Sequence, residues 1–192
     1  MNVRFPAHYR ILSMSKICFN SYSLVPIRYE DRVEIMKWRN EQLAILRQQK
    51  KLTSYEQDKY FADEVQPLFD AEHPKNMLFS LLLNDQFIAY GGLVHINWGE
   101  MRSEISFLNE TARADDIMLF KEDFSSFLKL IEQVAFGALK LRLIHSYAYN
   151  LRPYLYEVLE ESGYLLDKEK KIPLRADAKE HEVVIHYKCN PV

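Results

Sequence analysis

The residue best placed to do chemistry is a carboxylate inside a strand. Ser103-Glu104-Ile105-Ser106-Phe107-Leu108 alternates polar and apolar side chains, as a strand with one buried face does. Glu104 stands there as a proton acceptor, or as a solvent-facing or paired acid. Two phenols, Tyr154 and Tyr156, follow Arg152 at a helix start, where each can give up a proton or pack its ring. His95 and Asn97 end another apolar segment, the histidine as an acid–base group or as a structural one. The six histidines never pair at helical ligand spacing, and Cys18 and Cys189 lie far apart. No metal site and no disulfide framework are expected from that pattern.

Composition narrows the classes. Lys and Arg number 25 against 27 Asp and Glu, for a formal charge of -2. A phosphate backbone needs a basic stripe, so no nucleic-acid partner is expected. Hydrophobic residues make up 48% and aromatics 13%, enough for a sizeable core. No apolar run approaches the ~20 residues of a membrane helix. Met1 to Tyr22 lacks the apolar stretch and cleavage site of a signal peptide. A cytoplasmic, non-membrane protein is the expectation by elimination. Residues 1–20 show no period and read as a loosely ordered extension, with Met14 an alternative start. The domain is expected over 21–192, with residues 1–13 dispensable for folding.

The elements that must position Glu104 follow from local patterns. Ser23 to Ile27 reads as a strand whose Pro26 marks an edge or an end. Tyr29 to Arg39 is helical, and residues 41–50 continue as a helical piece or a loop. Thr53 and Glu56 form a capping box for a second helix carrying Tyr60, Phe61, Val65, Leu68 and Phe69. Met77 to Leu83 and Phe87 to Asn97 form a hairpin around Asn84-Asp85. Asn109 to Asp116 is polar and irregular. Phe120 to Leu139 carries an apolar stripe at three- and four-residue spacing and is the strongest helix. Leu143 to Ala148 is a strand, and Pro153 opens a helix that Gly163 ends. Tyr164 to Leu166 and His181 to Tyr187 are final strands, with a solvated charged hairpin at 167–171 and 175–182. The order β-α-α-β-β-β-α-β-α-β-β implies an α/β fold of the α+β kind, a mixed sheet with helices on both faces.

That order, with several local signatures, resembles the GNAT (GCN5-related N-acetyltransferase) family. Trp38-Arg39-Asn40 resembles the Trp-Arg-Asn of members that acetylate ribosomal-protein N-termini or amino-sugar nucleotides. Leu52 through Phe61 is similar to the start of their second helix, and Ala89-Tyr90-Gly91-Gly92-Leu93 to their third strand. Ser103 to Phe107 resembles the fourth strand. Ala135-Phe136 with Leu139, then Leu143-Ile144-His145, resembles the third helix running into the fifth strand. Val158 to Tyr164 resembles the Leu-Glu-x-x-Gly-Phe ending.

The resemblance implies a GNAT fold and an enzyme, an acyltransferase moving acetyl from acetyl-CoA to a small-molecule or peptide amine, and it leaves a homodimer open. Glu104 becomes the base, acting directly or through water. Backbone N–H groups near Phe107 and Leu108 polarise the thioester carbonyl. Trp38, Arg39, His95 and Asn97 fall on the acceptor side. The family's glycine-rich loop, whose backbone cradles the pyrophosphate, is replaced by Asn109 to Asp123. That stretch has no glycine and carries Asp115, Asp116, Glu122 and Asp123. Side chains Arg113, Lys121 and Arg152 then become the expected cofactor contacts. Leu159 stands where the family has its acid tyrosine, so Tyr154 or Tyr156 inherits that role. The rival implication is an inactive GNAT-fold protein that binds a small molecule or a protein partner.

Overall fold

The computed structural model describes residues 5–46, 48, 50–149, 151–167, 173–176 and 179–191. Strands come first as a meander. β1 (Ile17–Phe19), β2 (Tyr22–Pro26), β3 (Met77–Leu83), β4 (Gln86–Asn97) and β5 (Arg102–Asn109) pair antiparallel in sequence order. β6 (Leu143–Tyr149) then joins β5 in parallel, and β9 (Lys179–Cys189) joins β6 antiparallel. β7 (Leu165–Leu166) closes the far edge on β9, and β8 (Pro173–Ala176) makes a hairpin with β9. The mixed α/β class agrees with the sequence reading. The charged positions 168–172 and 177–178 lie outside the described residues.

Among the described residues, five α-helices flank the sheet: α1 (Arg32–Glu41), α2 (Ser54–Tyr60), α3 (Thr111–Asp115), α4 (Ile117–Glu132) and α5 (Pro153–Glu161). Neighbouring residues of β4 show that both faces are used. Tyr90 meets Arg39 of α1, whereas a side chain at Gly91 would strike Phe127 of α4. Successive strand residues point to opposite faces, so α1 and α4 flank the sheet from opposite sides. A Cβ at Gly91 would also lie 2.1 Å from the Ser106 carbonyl, so β4 and β5 approach there as only glycine permits.

The local signals have their expected physical forms. Thr53 caps α2 by accepting from the Glu56 N–H, and the Glu56 carboxylate returns the bond to the Thr53 N–H. The bond from Lys50, and after it those from Thr53, hold the Glu56 carboxyl down at about 2. α5 ends in a Schellman closure: Tyr164 N–H reaches the Leu159 carbonyl and Gly163 N–H the Glu160 carbonyl, with Gly163 at φ +83°. Pro26 is the last residue of β2, so it marks a strand end, and β1 rather than β2 is the edge.

Two expectations are corrected. The polar stretch 109–116 is not irregular throughout, because Thr111–Asp115 forms a short helix and α4 starts three residues earlier than its apolar stripe. The start is set by Asp116, whose carboxylate caps the Met118 and Leu119 N–H groups. Nor is the described part of residues 1–20 a loose extension. Tyr9 is fully buried, stacks on Phe69 at 4.3 Å, and its hydroxyl bonds both the carbonyl and the N–H of Leu78. Single aromatic anchors with no period of their own hold this segment, which is why pattern reading misses it. No helix among the described residues is long and apolar enough to cross a membrane.

Candidate active site

The site is made by a break in strand pairing. β5 and β6 pair from Arg102↔Leu143 to Ile105↔Ser146 and no further. Beyond that point β5 stays on β4 as far as Asn109, and β6 stays on β9 as far as Tyr149. The two strands splay, and the inner backbone edge of Ser106–Leu108 faces a cleft instead of a strand. A backbone donor there that points away from β4 has no β6 partner and is open to a ligand carbonyl. The cleft has a volume of about 520 Å³. Glu104, Ser106 and Phe107 line it from β5, and Tyr147 and Tyr149 from β6.

Glu104 is half-buried in this wall, one residue before the pairing ends. On the same sheet face, Arg39 reaches in from α1. Its Nη1 donates to the Tyr90 hydroxyl at 2.8 Å and its Nε to the Gln48 side chain at 2.8 Å. Tyr60 of α2 also lines the cleft, its phenol pushed up by burial and by Tyr90. His95 lines it from a kink in β4, at φ +52°, with its N–H held by Asn76.

The opposite wall belongs to α4 and the start of α5. Phe107 packs against Phe120, Phe124 and Phe127, with ring centroids 4.9–6.0 Å apart. Arg152 lies over the Phe120 ring at 5.5 Å and donates to Gln42 at 3.1 Å. Burial holds its guanidinium below the usual arginine range. No carboxylate pairs with Arg152 or with Arg39 among the described residues.

The other expected site residues stand elsewhere. Arg113 clasps Asp123 with two bonds of 2.6 and 2.7 Å, and Asp123 is wholly buried. Asn109 and Tyr22 donate to the same carboxylate. Lys121 pairs with Glu157 of α5. Both cations are thereby committed to intramolecular carboxylates. Trp38 is 3% exposed and stacked on Phe87, so it is core. Asn97 accepts from the Glu100 N–H in the β4–β5 turn and does not line the cleft. Tyr154 packs edge-on to Phe120, and Tyr156 donates to the Tyr149 carbonyl while stacking on His186. Neither tyrosine lines the cleft, because the α5 start turns both rings into packing. Leu108 is buried beneath the β5 edge. Tyr60, Tyr90, Tyr147 and Tyr149 were not expected in the cleft. The signal for Tyr90 was its strand parity with Glu104.

A family model described as acetyltransferase (GNAT) domain matches residues 24–172. No curated protein sequence matches. Among solved structures, the ribosomal-protein-S5-alanine acetyltransferase from Vibrio fischeri superposes with a TM-score of 0.69 at 14% identity, over 92% of this chain and 97% of that one. The spermidine N-acetyltransferase from Vibrio cholerae, in complex with CoA and spermine, gives 0.72 at 13% identity, over 90% and 97%. At such identities the likeness is one of fold.

Proposed function

Because the chain belongs to the GNAT acetyltransferase family, we propose that it moves an acetyl group from acetyl-CoA to a primary amine by direct attack, with Glu104 as proton acceptor. The observation that carries this reading is the β5–β6 splay beginning at Ser106, two residues after Glu104. Most alkyl amines are protonated at neutral pH and have no lone pair to attack with. Glu104 takes that proton, directly or through water. The unpaired N–H groups along Ser106–Leu108 polarise the carbonyl under attack. The N–C bond forms, the C–S bond breaks, the proton still on the attacking nitrogen passes to the departing sulfur, and coenzyme A leaves as a thiol. Tyr147 and Tyr149, which line the cleft, are the phenols nearest that chemistry on β6.

GNAT acetyltransferases use acetyl-CoA. The residues fit its acyl end, where an open strand edge and the aromatic wall of Phe107 and Phe120 meet. They fit its diphosphate less well. The first donors of α4 already bond Asp116, and Arg113 and Lys121 are engaged in ion pairs. Among the described residues lining the cleft there, Arg152 is a cation without a carboxylate partner.

Glu104→Gln keeps shape and removes basicity. Its rate at pH 7 is expected to fall by about 10²–10⁴-fold, with acetyl-CoA affinity by calorimetry little changed. Raising the pH deprotonates the amine in solution, so the variant should recover part of its rate as pH rises. An unaltered rate at pH 7 assigns the proton to another group.

A further inference from the structure

We infer that the acceptor amine carries an anionic group, a carboxylate or phosphate, several bonds away from its nitrogen, and that Arg39 reads this group. The inference rests on the proposed transfer to an amine and names the class of amine.

Charge in the cleft is the first observation. Its described lining holds two guanidiniums, Arg39 and Arg152, against one carboxylate, Glu104. With Arg152 on the diphosphate side, the described charge facing an acceptor beyond Glu104 is the Arg39 guanidinium, which repels a second ammonium. The second observation is what Arg39 touches. It uses two of its five donors on neutral groups, the Tyr90 hydroxyl and the Gln48 amide. No carboxylate balances it among the described residues, although the side chain is half-buried. A buried cation is costly unless paired, and its planar fork matches a carboxylate or phosphate. Tyr60 beside it stays a neutral phenol at pH 7, a further donor to an anion.

Spacing sets the distance between the two functions. Tyr90, which holds Arg39, lies opposite Leu108, and Val94 lies opposite Glu104. Residues at even spacing share a face. Glu104 and Tyr90 are therefore on one face, four residues apart along the ladder, or about 13 Å at ~3.3 Å per residue. An acceptor whose acid adjoins its amine, such as a free α-amino acid, is too short to reach both. A hydrogen bond of about 2.9 Å at each end leaves about 7 Å between nitrogen and acid, which a chain of five methylenes spans.

The test uses two acceptors of equal length and opposite far-end charge, 6-aminohexanoate and 1,6-diaminohexane, with acetyl-CoA as donor. The expected kcat/KM favours 6-aminohexanoate at least tenfold. Arg39→Gln should bring that ratio near unity, and Arg39→Lys, which keeps charge and loses the fork, should retain part of it. Calorimetry of 6-aminohexanoate without donor gives a readout independent of turnover, with binding expected to weaken about tenfold in Arg39→Gln. Melting curves confirm that both variants fold. Equal use of the two amines, or a ratio unmoved by Arg39→Gln, overturns the inference. Arg39-dependent binding without any acetyl transfer would instead overturn the proposed activity and leave the anion site standing.

Discussion

Asp123 shows how a residue that looks functional in sequence becomes structural in space. It sits in the glycine-free stretch that follows the Glu104 strand, where acids stand in place of a phosphate-binding loop. Its carboxylate is wholly buried and receives four donors, two from Arg113 and one each from Asn109 and Tyr22. Burial and that carboxylate push the Tyr22 phenol up, so the tyrosine remains a donor across the working range. Asp123, with Arg113 as its counter-ion, therefore ties α3, α4, β2 and β5 together. Breaking a buried pair by removing one partner costs about 3–5 kcal/mol. For a domain of this size each kcal/mol shifts the melting temperature by ~2–4 °C. Arg113→Ala is expected to melt at least about 6 °C lower, yet to bind acetyl-CoA as the parent does. A weakened affinity with an unchanged melting temperature would return Arg113 to the cofactor. Residue identity alone could not decide this, because the same guanidinium serves a phosphate or a carboxylate.

At the scale of elements, the start of α4 carries the main departure from the family pattern. A helix N-terminus offers free N–H groups and a positive dipole end to an anion. Here Asp116 already fills that place, bonding two of those groups at 2.9 and 3.0 Å. Asparagine caps a helix about as well as aspartate but carries no charge. Asp116→Asn is therefore expected to lower the melting temperature by no more than about 4 °C, at ~2–4 °C per kcal/mol, and to tighten acetyl-CoA binding. The gain should be roughly two- to fivefold, the equivalent of the ~0.3–1 kcal/mol of one charge at a helix end. Weaker binding in this variant would mean that the carboxylate helps to hold the donor. Periodic elements were legible because their signals are local: the capping box at Thr53, the α4 stripe, the Asn84-Asp85 turn and the Gly163 stop all stand as read. Glu104 and Phe107 were legible as cleft residues because their segment resembles the family's fourth strand, Arg39 because Trp38-Arg39-Asn40 resembles a family signature, and His95 as the end of a strand bordering the cleft. Tyr154 and Tyr156 were not, since the direction of a ring at a helix start depends on Phe120 and His186, which come from other elements.

At the scale of the whole molecule, a segment whose sequence shows no pattern is packed into the core. Residues 5–19 wrap back so that Phe5 meets Tyr29, Phe61 and Phe69, and Arg10 N–H bonds the Phe69 carbonyl at 2.7 Å. The centre of this contact is Tyr9. Its hydroxyl donates to the Leu78 carbonyl at 2.9 Å and accepts from the Leu78 N–H at 2.8 Å. Leu78 lies in β3 beside the strands that carry the cleft, and its carbonyl also receives the Ile27 N–H. Tyr9→Phe keeps the ring and removes both bonds, leaving a buried Leu78 donor unsatisfied, at a cost of about 1–3 kcal/mol. Deleting residues 1–13 removes the ring as well. Emptying an aromatic site of this kind costs about 3–5 kcal/mol. The deletion is therefore expected to lower the melting temperature by at least about 6 °C, at ~2–4 °C per kcal/mol, and Tyr9→Phe by a third to a half of that. The order of the two variants is the informative part. If the deletion melts like the parent, the aromatic cluster of Phe61, Phe69 and Phe79 closes over the gap by itself, and Tyr9 only decorates a core that is complete without it. If Tyr9→Phe alone matches the deletion, the stabilisation lies in the bonds to Leu78, and the segment acts as a polar clasp on β3 rather than as part of the core.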